Sequence, residues 1–153
     1  MAKITPEVLA AVAAAREAFR ARGRPLSPDA IEDLARTWLQ GWREIEGTGE
    51  ASADLWAGLE LEELHREEPE SALAVLGRAL DLEPGLDAEY YVFEELRTLL
   101  QAQSAFAQSR LPVFLEAHPS LRSRLTRLCQ GQAVPPGWPD DVFAQLCAAV
   151  APP

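Results

Sequence analysis

Lysine and methionine occur once each in 153 residues, and cysteine and histidine twice each. Each scarcity excludes something. Two cysteines, Cys129 and Cys147, are too few for a disulfide framework. Each sits among apolar neighbours and reads as a small core residue. Two histidines, His65 and His118, belong to no His-x-x-x-His or Cys-x-x-Cys pair, so the common zinc-ligand spacings are absent. No run approaches the roughly 20 apolar residues that a membrane helix needs. The alanine-rich start is interrupted by Arg16, Glu17 and Arg20, so it does not read as a signal-peptide core. Positive charge is also short, with 14 basic residues against 24 acidic, a formal net charge of −10 and a pI of about 4.6. Phosphate backbones are bound by basic surfaces, which disfavours a nucleic-acid partner.

What is present points to one soluble domain in the cytoplasm. Most domains hold roughly 100–200 residues, and a chain of this size buries about two-thirds of its unfolded surface without a staple. Apolar residues make up 48% and four tryptophans are available for a core, so disorder is not expected. Arginine outnumbers lysine 13 to one; with abundant alanine and leucine, this usage fits a GC-rich bacterial genome.

The apolar periodicity is helical almost throughout. Thr5-Pro6 is a cap and first-turn pair, followed by Val8, Leu9, Val12 and Phe19 at helical spacing. Gly23 to Pro25 ends that helix, and Ser27-Pro28-Asp29 starts the next. Ile31, Leu34, Trp38, Trp42 and Ile45 form the clearest apolar stripe in the chain. Residues 46–53, small and polar with two glycines, read as a loop. A third helix is expected over about 53–67, capped by Ser52 or Asp54, and a fourth over 69–82 after the Glu68-Pro69 break. A fifth, capped by Asp87, spans about 88–102. Residues 104–117 are helical, with Pro112 starting a new helix or kinking one. Pro119 opens a seventh, Gly131 to Gly137 is a break, and Trp138-Pro139-Asp140-Asp141 opens a short last helix. No strand of convincing length is found. Seven or eight helices joined by short breaks predict an all-α bundle or short solenoid within one domain, residues 1–153. Its parts are an N-terminal helix (1–26), core helices with an acidic hairpin (27–86) and C-terminal helices (87–150).

The acidic excess is local. Residues 44–95 hold 16 acids and two bases, Arg66 and Arg78, whereas each flank carries a net +2. Two readings follow. Either the flanks fold back and neutralise the centre, or the central helices present a negative face to a basic partner. The third helix favours a face. At 100° per residue, Trp56, Glu60, Glu63 and Glu67 fall on one stripe, while Leu61 and Leu64 point nearly opposite, toward the core. Like charges at this spacing cost a helix a few tenths of a kcal/mol per pair, a cost that suits a surface made for cations. An aromatic anchor among charges also matches interface anatomy. The candidate partner-binding residues are therefore Trp56, Glu60, Glu63 and Glu67, with Glu94 and Glu95 of the fifth helix.

Trp56, Leu59, Ala72, Leu76, Ala79, Leu80 and Pro84 give residues 53–86 the spacing of one tetratricopeptide unit, which this stretch resembles. Glu60 and Glu63 depart from it, standing where the motif has a small residue and a tyrosine. No second unit lies 34 residues away, so a local helical hairpin is expected rather than an array. A wider stretch, about 31–148, resembles a small all-helical bacterial domain family of unknown function. The resemblance rests on Leu34 to Trp38, on Trp56 to Leu64 leading into Glu67 to Ala72, on Glu116 to Leu121 with Arg122 and Leu125, and on Gly137 to Phe143. Phe93 to Arg97 replaces a Gly-Pro-Leu-Glu turn usual in that family. The resemblance implies a fold and no activity.

Chemistry for catalysis is not evident. Gly47 and Gly49 lack the Lys-Ser/Thr of a phosphate loop, and there is no Gly-x-Ser-x-Gly elbow. His65 reads as an exposed helix histidine. Glu94 and Glu95, adjacent in sequence, point about 100° apart and cannot face one pocket as an acid–base pair. The expectation is a non-enzymatic acidic binding module without metal or cofactor. Its first form is an immunity or antitoxin type of inhibitor occluding a basic toxin such as a nuclease. Its alternative is a tetratricopeptide-like scaffold or adaptor for a peptide or protein.

Overall fold

The computed structural model describes residues 4–131 and 133–151. Among them the chain is all-α, with eight helices and no sheet. Its contacts divide it into two compact units, Met1–Ala88 and Glu89–Pro153.

The first unit holds α1 (Pro6–Arg20), α2 (Pro28–Thr48), α3 (Leu55–Glu67) and α4 (Pro69–Leu82). Two starts follow one design. Thr5 Oγ1 accepts from the Val8 amide at 3.2 Å, and Ser27 Oγ from the Ala30 amide at 3.1 Å. Each satisfies an amide that the first turn leaves without a partner, and a proline follows each cap because its missing N–H costs nothing there. The helix α2 outruns its expected end at residue 45. It continues through Thr48 and stops at Gly49, whose φ of +72° supplies a left-handed cap that side chains with a Cβ rarely adopt. The core is formed by Leu34, Ala35, Trp38 and Leu39 of α2, Ala57, Leu61 and Leu64 of α3, and Ala72, Val75, Leu76 and Ala79 of α4, all buried. The helix α2 packs on α3 and α4, and α3 on α4; α1 packs on α3. Ala72 and Ala79 are wholly buried within the α3–α4 hairpin unit.

The second unit begins within α5 (Leu86–Ala102) and continues through α6 (Ser104–Ala117), α7 (Pro119–Gln130) and α8 (Asp140–Val150). Asp87 lies inside α5 rather than capping it. Pro112 neither starts nor ends a helix and sits within α6. It is exposed, as is Gln108 four residues earlier, so the carbonyl that loses its amide partner can turn to water. The helices α6, α7 and α8 pack pairwise. Trp138, at the entry to α8, stacks on Phe93 at 4.7 Å between ring centroids and meets Phe143 edge-on at 6.0 Å. Gly137 beside it has φ +82°, and its carbonyl accepts from Arg97 Nη1 at 3.0 Å.

The two cysteines are not separate core residues. Cys129 at the end of α7 and Cys147 in α8 form a disulfide across 18 residues of sequence. The expectation fails because sequence spacing cannot show that two helices bring these side chains together. Closing a loop of this length removes unfolded-state freedom equivalent to about 3 kcal/mol. Reduction with dithiothreitol, or a Cys147→Ser substitution, is therefore expected to lower the urea midpoint by an amount equivalent to about 2–3 kcal/mol; coincident unfolding curves for reduced and oxidised protein would contradict it.

Candidate functional site

The α3 stripe expected to face outward is instead covered by the chain's own arginines. Arg16 and Arg20 lie four residues apart, on one side of α1, and Arg24 follows in the turn toward α2. Against them stand Glu60, Glu63 and Glu67, one side of α3 (by the periodicity that aligns residues three and four apart). Arg16 Nε and Arg20 Nε both donate to Glu60 Oε1, at 2.7 and 3.1 Å. Arg20 Nη2 donates to Glu63 Oε2 at 2.8 Å, and Arg24 Nη1 to Glu67 Oε2 at 2.9 Å. Arg24 Nη2 lies 3.6 Å from Glu60 Oε2 and 3.5 Å from Glu63 Oε2. One carboxylate, Glu60, thus meets three guanidinium groups while fully buried.

The electrostatics follow from this crowding. Burial pushes the Glu63 carboxyl up, but the Arg20 hydrogen bond and the fields of Arg20, Arg24 and Arg16 together leave it below the ordinary carboxylate range. The Arg20 guanidinium is raised in turn, first by its hydrogen bond to Glu63 and then by the charge of Glu60. Apolar contacts fasten the same helix pair. Val12, Phe19 and Leu26 are buried, and the Phe19 and Trp56 rings lie 5.1 Å apart.

The expectation of an exposed acidic stripe is thereby corrected. Glu60 has no exposed surface, Glu63 is mostly covered and Trp56 is half-buried against the buried Phe19; Glu67 alone keeps more than half of its side chain exposed. Leu61 and Leu64 face the core as expected. Helix-wheel arithmetic groups residues on a face but does not say which segment covers that face. Glu94 and Glu95 belong to the second unit and are half-buried. Glu94 pairs with Arg97 at 3.2 Å, and Glu95 also has an interaction partner. His65 is fully buried rather than exposed, and has a partner. No group of three or more metal-ligating side chains occurs among the described residues.

One constellation has no signal in the sequence. Glu44, near the end of α2, and Asp54, before α3, are hydrogen-bonded to each other beside Ser52 and Gln40. Ser52 Oγ accepts from the Asp54 amide at 3.1 Å. Gly41 makes room for this loop, because a Cβ there would lie 3.3 Å from the Asp54 carbonyl oxygen. Burial, the hydrogen bond to Glu44 and that group's charge push the Asp54 carboxyl up to about 6. Glu44 moves the other way, held below its ordinary range by Asp54 and Ser52 against burial, with Gln40 adding to them. Asp54 also lines a groove of about 390 Å³ with Arg36, Thr37, Gln40, Arg43 and Glu83. The Arg43 guanidinium there is already paired with Glu83.

Comparisons with protein-family models, with curated proteins and with solved structures found no match.

The shared proton gives a pH signature. A carboxyl raised in the folded state stabilises it fully below its unfolded value near 4, and that stabilisation is lost as pH rises through about 6. Asp54→Asn keeps a donor to Glu44 without a titrating proton. Stability of the native protein is expected to decline between about pH 4 and about pH 6 relative to the Asp54→Asn variant, measured by urea unfolding at each pH. Parallel stability profiles for the two proteins would contradict the pairing.

Proposed function

We propose that this chain is an acidic protein-binding module of the immunity or antitoxin type, which neutralises a basic toxin by charge-complementary occlusion. A nuclease suits the role of target, because a cleft built to hold phosphates is cationic and carboxylates can fill it. The reading is of a binding protein, not an enzyme.

One observation carries it. The first unit's sequence holds 18 acids against nine bases. All eight of its arginines are already committed to ion pairs within that unit. Internal pairing therefore exhausts its arginines while leaving an excess of negative charge. Glu50, Asp81 and Asp87 are exposed and take part in no ion pair among the described residues. Such a field speeds encounter with a cationic surface more than it tightens the final complex. The buried Glu60 cluster supports the scaffold in this reading, and the partner meets the outer carboxylates. A helical adaptor resembling one tetratricopeptide unit remains the alternative use of the α3–α4 hairpin.

The test uses the product of the gene adjacent to this one. Co-expression of the present chain is expected to rescue cells from that product. Raising salt from about 0.05 to 0.5 M is expected to slow their association several-fold. A Glu50→Lys/Asp81→Lys/Asp87→Lys variant, which leaves the Glu60 cluster intact, is expected to associate more slowly still. Rescue and on-rates that ignore both salt and charge reversal would favour the adaptor; absence of rescue would overturn the inhibitor reading.

A further inference from the structure

The second unit has a different charge balance, with six acids against five bases. Its sequence is nearly neutral. Three of its arginines lie on α7. Arg124 is paired with the buried Glu89. Arg122 and Arg127 have neither an ion pair nor a side-chain hydrogen bond among the described residues. That is unusual in a chain where acids exceed bases by ten. Both line an open groove of about 460 Å³, together with Ser123, Thr126 and Val150.

The spacing defines what the groove can hold. On a helix, positions 122, 126, 123 and 127 fall at about 0°, 40°, 100° and 140°. Two guanidinium groups therefore flank two hydroxyl-bearing residues on one face. Thr126 Oγ1 donates to the Arg122 carbonyl at 2.8 Å, so its proton is held by the helix and does not serve the ligand. Ser123 is exposed and its hydroxyl is available as a donor. Among the described residues no carboxylate lines the groove. Val150, from the end of α8, adds an apolar wall next to this polar face. Two cations of forked, planar geometry match one tetrahedral dianion better than a single carboxylate, and the volume lies within the range of small-ligand sites.

We propose that the groove between α7 and the end of α8 binds the phosphoryl group of a small phosphomonoester. Arg122 and Arg127 hold the phosphate oxygens from either side, Ser123 donates to them, and the ligand's organic part lies toward Val150. This site is contained in the second unit and does not rest on the inhibitor reading of the first.

The test is an amide NMR titration of the full chain, disulfide intact, with phenyl phosphate as probe and benzoate and inorganic phosphate as comparisons, at constant ionic strength. Saturable shifts confined to the amides around residues 122–127 and 150 are expected with phenyl phosphate. Binding of benzoate is expected to be several-fold weaker. Arg122→Gln and Arg127→Gln are each expected to weaken phenyl phosphate binding by about tenfold, as removal of one charge-assisted contact should. Both side chains lie at the surface, so unchanged spectra elsewhere will show that the variants fold. Inorganic phosphate binding as well as phenyl phosphate would still support the phosphate clamp and remove the role given to Val150. No saturable shift, equal binding of benzoate, or binding that survives the double variant would overturn the proposal.

Discussion

A carboxylate with no access to water cannot stay charged unless cations replace its hydration. Glu60 is such a group, and the first unit is arranged around its need. Arg16 and Arg20 must lie one turn apart on α1, and Arg24 must follow in the turn beyond. The helix α1 must therefore run along α3 in one register. Phe19 and Val12 seal the contact, and the Phe19 ring rests on Trp56. A single misplaced turn would leave a buried charge facing apolar groups, an error costing several kcal/mol. The cluster thus selects one docking of α1 among those that apolar contact alone would tolerate.

This arrangement changes what the acidic composition means. The most clustered carboxylates are consumed in holding the N-terminal helix, and they are not the ones available to a partner. Outward charge comes instead from residues such as Glu50, Asp81 and Asp87, spread over loops and helix ends. A diffuse field of that kind steers a cationic partner at long range before the outer carboxylates meet it. The second unit is close to neutral, and Arg122 and Arg127 of α7 take part in no ion pair among the described residues.

Much of the fold was legible because its signals are local. Thr5-Pro6 and Ser27-Pro28 start helices where they should, and Pro69 and Pro119 open theirs. Leu34 and Trp38 are buried as their stripe requires. The site was legible only in part. Wheel arithmetic placed Glu60, Glu63 and Glu67 together and turned Leu61 and Leu64 inward, but it could not supply Arg16, 44 residues away from Glu60. Two hints were present: the net-positive flanks, one reading of which has them fold back on the acidic centre as Arg16, Arg20 and Arg24 do, and the departure of Glu60 and Glu63 from the tetratricopeptide pattern, since a large acid where a small residue belongs needs a cation next to it. The same limit hid the Cys129–Cys147 bond, the burial of His65 and the Glu44–Asp54 pair. Each joins residues through tertiary packing, and no periodicity encodes a partner on another element.

The dependence of the first unit on Glu60 is measured most directly by a double-mutant cycle of Arg16→Ala and Glu60→Ala in urea unfolding. The cycle cancels the cavity that Glu60→Ala leaves and isolates the coupling of the two side chains. A coupling above about 1 kcal/mol is expected, beyond what exposed ion pairs reach. A coupling near zero, with the two substitutions simply additive, would contradict it.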